Sequence, residues 1–400
     1  MSLNSSPAAN RIHIGFFGKT NVGKSSLVNA ITGQNLAIVS DVKGTTTDPV
    51  YKSMEILPLG PLMLVDTPGI DDTGELGKLR MNKTNKVLIK TDVAILVTDA
   101  TQTLSEKELE LIKLFKDKKI NYIIVYNKCD LLKSPLKLKE NEIDVSSTTK
   151  FHITELKEKI SRLTVDDEDK YRIIGDLIKP KDFIVLVTPI DSSAPKGRLI
   201  LPQQQTIRDI LDSNAISVVV QVPELKTSLE NFKHKPALVI TDSQAYKKVN
   251  ADTPLDIPLT SFSILLARNK GLLEAAVDGI AAIENLKDGD SVLIAEGCTH
   301  HRQCDDIGSV KIPNWLKDYT KKDLKIITCD GKAFPKDLSP YKVVVHCGGC
   351  MLTAKEVKYR TKCAVNQEVP ITNYGIIIAY MNGILKRALE IFPNLQKKLR

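Results

Sequence analysis

The octapeptide Gly18-Lys19-Thr20-Asn21-Val22-Gly23-Lys24-Ser25 lies between an apolar run at 12–17 and an apolar stretch at 25–31. Strand, glycine-bearing loop and helix in that order fit G-x-x-x-x-G-K-[ST], which commits the start of the chain to a phosphate-binding α/β layer. Glycines let backbone N–H groups wrap a phosphate, and the helix N-terminus adds a favourable dipole. Lys24 reaches the β and γ oxygens and Ser25 offers its hydroxyl to Mg²⁺, with Ser26 next in the first turn. A merely flexible glycine turn does not explain why Lys and Ser come next.

Three further segments fall at the spacing such a site needs. Asp66-Thr67-Pro68-Gly69 follows the apolar run 62–65, placing Asp66 to hold Mg²⁺ through water and the Gly69 amide to meet a γ-phosphate. Gly44-Thr45-Thr46-Thr47-Asp48 lies between these motifs, and Thr46, or its neighbour Thr45, is the candidate cap on Mg²⁺ and γ-phosphate. Asn127-Lys128-Cys129-Asp130 selects the base: the Asp130 carboxylate can accept from N1–H and the exocyclic amine of guanine, whereas adenine has an acceptor at N1 and no such amine. The nucleotide expected is therefore GTP. Ser146-Ser147, ahead of a helical stretch, can supply a backbone N–H to guanine O6; alone, the pair would be an ordinary helix cap.

At 400 residues the chain is two to three times an ordinary domain. Strand-like runs alternate with helical ones throughout, so three tandem α/β domains are expected: a P-loop GTPase with a mostly parallel sheet at 1–165, a middle dimerisation-type domain at 166–270, and a third at 271–400. The acidic run 166–169 reads as a solvated boundary, and 250–258, with Pro254 and Pro258, as a later linker. In the third unit a helix is expected at 272–284 and an amphipathic one near 376–391. The middle domain shows no catalytic constellation, and Asp191, Ser192 and Ser193 read as turn residues.

The net charge of +8 is spread evenly: 23 basic and 19 acidic residues in 1–165, 14 and 14 in 166–270, 19 and 15 in 271–400. An even spread is a solvated surface and argues against nucleic acid as a partner. The longest uncharged stretch, 369–385, contains Thr372, Asn373, Gly375, Asn382 and Gly383 and makes a poor bilayer span. The first ten residues lack the pattern of a secretory signal, so a cytoplasmic location is expected.

The GTP elements together resemble the Era and tRNA-modification branch of GTPases, over about residues 10–165. Two details refine what that resemblance implies. Ile70 follows Gly69 where Ras-like enzymes carry a water-orienting glutamine, which implies slow intrinsic turnover. Asn21 matches the asparagine by which potassium-activated members bind K⁺, a cation able to substitute for an arginine finger.

Six of the seven cysteines fall at or after residue 298. Cys298-Thr299-His300-His301-Arg302-Gln303-Cys304-Asp305-Asp306 and His346-Cys347-Gly348-Gly349-Cys350 form the pattern C-x-H…C-x-x-C, each motif just past a strand-like run, where parallel sheets place ligands. Three readings compete. A redox pair at Cys347 and Cys350 needs neither Cys298 nor His300; structural Zn²⁺ on Cys₃His and a [4Fe–4S] cluster on three cysteines plus a weaker ligand both fit the spacing.

A GTPase of this branch, a middle domain, and then C-x-H…H-C-G-G-C resembles the HydF family of [FeFe]-hydrogenase maturation proteins along essentially the whole chain. The resemblance implies a [4Fe–4S] site at Cys298, Cys347 and Cys350, with an exchangeable fourth position on which a diiron precursor with CO and CN⁻ ligands can attach. It offers His300 or His346 as fourth ligand; Asp305 and Asp306 are hard oxygen donors in the same loop, and Cys304 is an extra thiol. His301 is assigned to solvent or the site's surroundings, and Cys329 and Cys363 to small buried positions. The implied partners are two radical-SAM maturases, apo-[FeFe]-hydrogenase and further copies of the chain, a homodimer or higher. The rival from another class is a ribosome- or tRNA-associated GTPase carrying structural zinc.

Overall fold

A computed structural model of the chain describes residues 9, 11–33, 49–56, 60–70, 83–165, 172–190, 199–297, 306–331 and 333–399. It divides into two compact units, Met1–Asp169 and Lys170–Arg400. The acidic run 166–169, Asp191–Ser193 and the loop around Thr45 and Thr46 lie outside the described residues. Among the described residues no helix is long and apolar enough to cross a membrane.

The first unit is built on a six-stranded sheet ordered β2-β3-β1-β4-β5-β6. Its strands are β1 Ile12–Phe17, β2 Val50–Ile56, β3 Gly60–Asp66, β4 Val93–Asp99, β5 Asn121–Asn127 and β6 Glu142–Asp144. Only β2 runs antiparallel, against β3. Period-two alternation sorts β1 to both faces. Ile14 and Phe16 pack with Leu27 and Ile31 of the helix Lys24–Thr32, while Phe17 packs with Leu111 and Phe115 of the helix Glu106–Asp117. With helices on both faces the central strand β4 is buried throughout, so it reads as an unbroken apolar run.

The second unit holds two four-stranded parallel sheets, β10-β9-β7-β8 and β12-β11-β13-β14. Their strands are β7 Phe183–Val187, β8 Ile216–Val220, β9 Leu238–Thr241 and β10 Leu259–Ser261, then β11 Ser291–Ala295, β12 Lys325–Cys329, β13 Val343–His346 and β14 Ile371–Asn373. Both sheets have one order: second strand, first, third, fourth. One apolar cluster, including Leu186 and Ile240 of the first sheet and Leu293 and Val344 of the second, runs through both.

The shared order reflects an internal repeat offset by 112 residues. Pro258-Leu-Thr-Ser leads into the helix Phe262–Asn269, and Pro370-Ile-Thr-Asn into the helix Tyr374–Met381. Ser261 Oγ accepts from the Ile264 amide, and Asn373 Oδ1 from the Ile376 amide, so each short strand passes through a capping residue into its helix. The two copies exchange equivalent bonds: Thr260 Oγ1 donates to Ala388 O at 3.0 Å and Thr372 Oγ1 to Ala276 O at 2.9 Å. Both helices end before a glycine of positive φ, Gly271 at 75° and Gly383 at 69°, the left-handed stop that closes a helix.

Three expectations change. Residues 250–258 are no boundary: the helix Tyr246–Asp252 covers their start and β10 follows them within the same sheet. Arg387 fastens this segment by donating to the carbonyls of Asn250, Thr253, Pro254 and Ile257. The expected helix at 272–284 is an α-helix only over Leu273–Asp278, continuing as a tighter 3-10 turn over Gly279–Asn285. The expected amphipathic helix near 376–391 is two pieces, Tyr374–Met381 and Leu385–Ala388, divided at Asn382-Gly383. The first buries Tyr374 to Ala379 in the second unit's core and has no polar stripe there.

Candidate nucleotide and cysteine sites

β1 and β3 bring the phosphate loop and Asp66 together, since Phe16 and Asp66 are register partners. The Thr67 amide and hydroxyl both donate to Phe16 O, fixing the chain where it leaves β3. In the loop, Asn21 has φ 62° and Gly23 φ 89°, a curl that turns successive N–H groups inward. A Cβ on residue 23 would lie 2.3 Å from Asn127 Nδ2, so only glycine fits. Val22 is buried, and Ser25 and Ser26 begin the helix.

Lys24 is nearly buried, and its ammonium donates to Gly18 O at 3.1 Å and Lys19 O at 2.6 Å. Ser25 Oγ donates to Asp66 Oδ2 at 2.6 Å. Asp66 Oδ1 is buried with no hydrogen-bond partner among the described residues. Burial pushes the Asp66 carboxyl above its ordinary range, against the Ser25 hydrogen bond and the charges of Lys24 and Lys52. A hard oxygen pair with one orphaned acceptor suits Mg²⁺. Ser25 and Asp66 would hold the ion, which supplies charge stabilisation to the phosphates.

Asn127 and Lys128 each hold other parts of the site in place. Asn127 Nδ2 donates to Val22 O at 2.9 Å, and its Oδ1 accepts from the Ser147 amide at 3.1 Å. It ties the phosphate loop to the 146–147 loop. The Ser146 amide donates to Phe151 O, so both amides of the pair expected to supply an N–H to guanine O6 are engaged within the protein here. Lys128, at φ 65°, donates through Nζ to Asp99 Oδ2 at 2.7 Å. Burial raises the Asp99 carboxyl, but Lys128 and Thr101 outweigh it and hold the group below its usual range. Asp130 is exposed in the turn Cys129–Leu131. Gly69 follows β3, and Ile70 beyond it is buried in the cluster with Phe17 and Val65.

The cysteine motifs converge because β11 and β13 are parallel neighbours with Ala295 opposite His346. The chain leaves both strands at the same end of the sheet. The Gly297 amide donates to Cys347 Sγ at 3.1 Å, and the Gly349 amide to the same sulfur at 3.3 Å. A Cβ on residue 297 would meet Leu352 Cγ at 2.8 Å, so the close approach requires glycine. Two N–H groups from the two loops thus meet on one sulfur. Cys350 is half-buried; burial pushes its thiol up, and the charge of Lys270 pulls it back. Cys329 is buried at the end of β12, as expected of a small apolar residue.

His346 does not suit the role of fourth ligand. It is fully buried, its Nδ1 lies 2.7 Å from Cys347 O and its Nε2 3.4 Å from Arg360 Nη1. Arg360 only donates, so Nε2 accepts, Nδ1–H donates to the carbonyl, and neither nitrogen faces a metal. Burial, with Arg360 beside it, lowers the ring to about 4 and keeps it neutral. Cys298, His300, Cys304 and Asp305 lie outside the described residues, and among those described no three His, Cys, Asp or Glu gather to hold a metal. Asp306 is engaged by the Ser309 amide and hydroxyl. Motif spacing gave no sign of Asp99, Arg360 or Lys270, which act on the sites from elements without a motif.

Three family models match the chain. A 50S ribosome-binding GTPase covers residues 13–128, the hydrogen maturase F dimerization domain 173–271, and the hydrogen maturase F tetramerization domain 274–391. The last two together cover more than half of the chain. The tRNA modification GTPase MnmE of Clostridioides difficile is 39% identical over 154 residues, 36% of this chain and 33% of that protein. GTPase Der of Wolinella succinogenes is 37% identical over 172 residues, 39% of this chain and 36% of that one. The chain thus spans about a third of the length of these relatives. Among solved structures, Aquifex aeolicus Era bound to GDP and AlF₄⁻ aligns at 20% identity with a TM-score of 0.36, over 56% of this chain and 98% of that one.

Proposed function

Because this chain belongs to the hydrogen maturase F family, we propose that it binds and hydrolyses GTP while serving as scaffold and carrier for the diiron subcluster of [FeFe]-hydrogenase. Cys298, Cys347 and Cys350 hold a [4Fe–4S] cluster, whose fourth iron takes an exchangeable ligand and can accept a diiron precursor bearing CO and CN⁻. Asp305 and His300 are the candidates for that fourth ligand. The observation that carries this reading is the Gly297 amide on Cys347 Sγ. It brings the residue before Cys298 against the Cys347–Cys350 loop.

The chain's residues divide the work. Lys24, Ser25, Asp66 and the Gly69 amide bind the phosphates and Mg²⁺, Thr46 caps them, and Asp130 selects guanine. GTP binding and its loss bias the contacts of a switch between two arrangements. Two radical-SAM maturases supply the precursor and apo-hydrogenase receives it. Copies of the chain associate through its dimerization and tetramerization domains. Ile216 and Val219, exposed on the edge strand β8, are the candidate contact in the first of these.

Anaerobic purification tests the cluster. The expected result is a brown protein with about four iron and four sulfide per chain and a reducible paramagnetic signal. A colourless, zinc-loaded protein would instead favour a ribosome- or tRNA-associated GTPase.

Turnover is slow, because Ile70 orients no water, and K⁺ bound at Asn21 raises it. Hydrolysis is expected to run faster in KCl than in NaCl of equal ionic strength; identical rates remove the potassium site.

A further inference from the structure

Lys270 is a buried cation that the nucleotide chemistry does not use. It follows the helix Phe262–Asn269 and is only 4% exposed. Its Nζ donates to Leu352 O at 3.0 Å, and among the described residues it has no carboxylate within ion-pair distance. Glu356 faces it from farther away and closes the capping box of its own helix with Thr353. An ammonium buried without a counter-charge is costly and calls for an anion nearby. The acceptor it does reach lies two residues past Cys350, in a loop packed on Gly297.

The internal repeat shows that the fold does not ask for a lysine there. The equivalent position, 112 residues on, is Asn382, which is exposed. The backbone is the same at both: φ −87° and ψ −3° at Lys270, φ −88° and ψ 1° at Asn382. One geometry therefore carries a buried cation only in the copy that lies under the cysteine loop.

We propose that Lys270 is a positioning residue for the iron–sulfur site, a fixed positive charge that balances the Cys350 side of the cluster and raises its reduction potential. The inference rests on the cluster reading above. When the cluster takes one electron from an external reductant such as dithionite, its net charge becomes more negative by one. A nearby ammonium stabilises that reduced form more than the oxidised form.

The test uses the full chain, anaerobically reconstituted with iron and sulfide, and a redox titration followed by electron paramagnetic resonance. Lys270→Gln keeps a donor for Leu352 O without the charge, and Lys270→Met removes both. Each is expected to make reduction at least tenfold less favourable, a midpoint lower by about 59 mV for one electron. Lys270→Arg is expected to restore most of the shift. Gln and Met variants that keep both cluster and midpoint overturn the proposal, as does loss of the native far-UV circular dichroism in both, which would assign the lysine to the fold. A wild-type chain that binds no iron sinks the cluster reading itself, an outcome distinct from either.

Discussion

Serine at position 347 is expected to abolish the iron–sulfur signal while leaving GTP hydrolysis measurable. Cys347 Sγ accepts amide N–H groups from Gly297 and Gly349, so it is the sulfur on which the two loops meet. A serine oxygen is harder, shorter in its reach and not ionised near neutral pH, and it cannot replace a soft thiolate on iron. With one of three thiolates gone, iron should fall from about four per chain to below about one. Cys298→Ser and Cys350→Ser should behave alike. Hydrolysis should persist because Lys24, Ser25, Asp66 and Asp130 belong to a compact unit with its own two apolar clusters. Iron analysis and phosphate release on the same preparations decide it. A Cys347→Ser protein that stays brown removes this residue from the ligand set, and one that loses hydrolysis as well shows that the sites do not function separately.

Much of this architecture was legible because its determinants are local. The phosphate loop is a contiguous motif, and the runs that became β1, β3, β4 and β5 are apolar for most of their length because helices cover both faces. Val50–Ile56 gives no such signal: as an edge strand it leaves Val50 and Tyr51 exposed, then alternates half-buried Lys52 and Met54 with exposed Ser53 and Glu55. The convergence of the cysteine loops could be expected from their positions after strands, but the neighbour relation of β11 and β13 could not, since 47 residues separate them.

Most of what the sequence hides is side chains that act through another group. Asn127 appears in a base-recognition motif, yet its amide spends both ends holding loops. His346 sits beside a cysteine as a ligand would, yet burial and Arg360 make it a neutral spacer. The repeat that relates Thr260 to Thr372 is faint in sequence for another reason: identities such as Pro258 with Pro370 and Gly271 with Gly383 are scattered among changed residues, as at Ser261 against Asn373 and Phe262 against Tyr374. The paired bonds to Ala388 and Ala276, with the shared strand order, make the correspondence plain.

Replacing Lys24 by Ala should have the largest effect on the nucleotide chemistry, about a 10³-fold loss of hydrolysis. Its ammonium rests on Gly18 O and Lys19 O and must leave them to meet the β and γ oxygens, where charge develops as the phosphoryl group departs. In the free protein its removal exposes two loop carbonyls to water, which should cost no more than about 1 kcal/mol of stability. Guanosine recognition should survive, because Asp130 and the Asn127 bonds do not depend on Lys24. The variant should therefore still bind GDP, more weakly, while releasing almost no phosphate from GTP. Asp130→Ala should do the opposite, weakening preference for guanine while Lys24, Ser25 and Asp66 stay in place. Phosphate release and competition between GDP and ADP separate the two. Wild-type hydrolysis by the Lys24→Ala protein would mean that the phosphates bind elsewhere, and undiminished guanine preference in Asp130→Ala would remove the base from that turn.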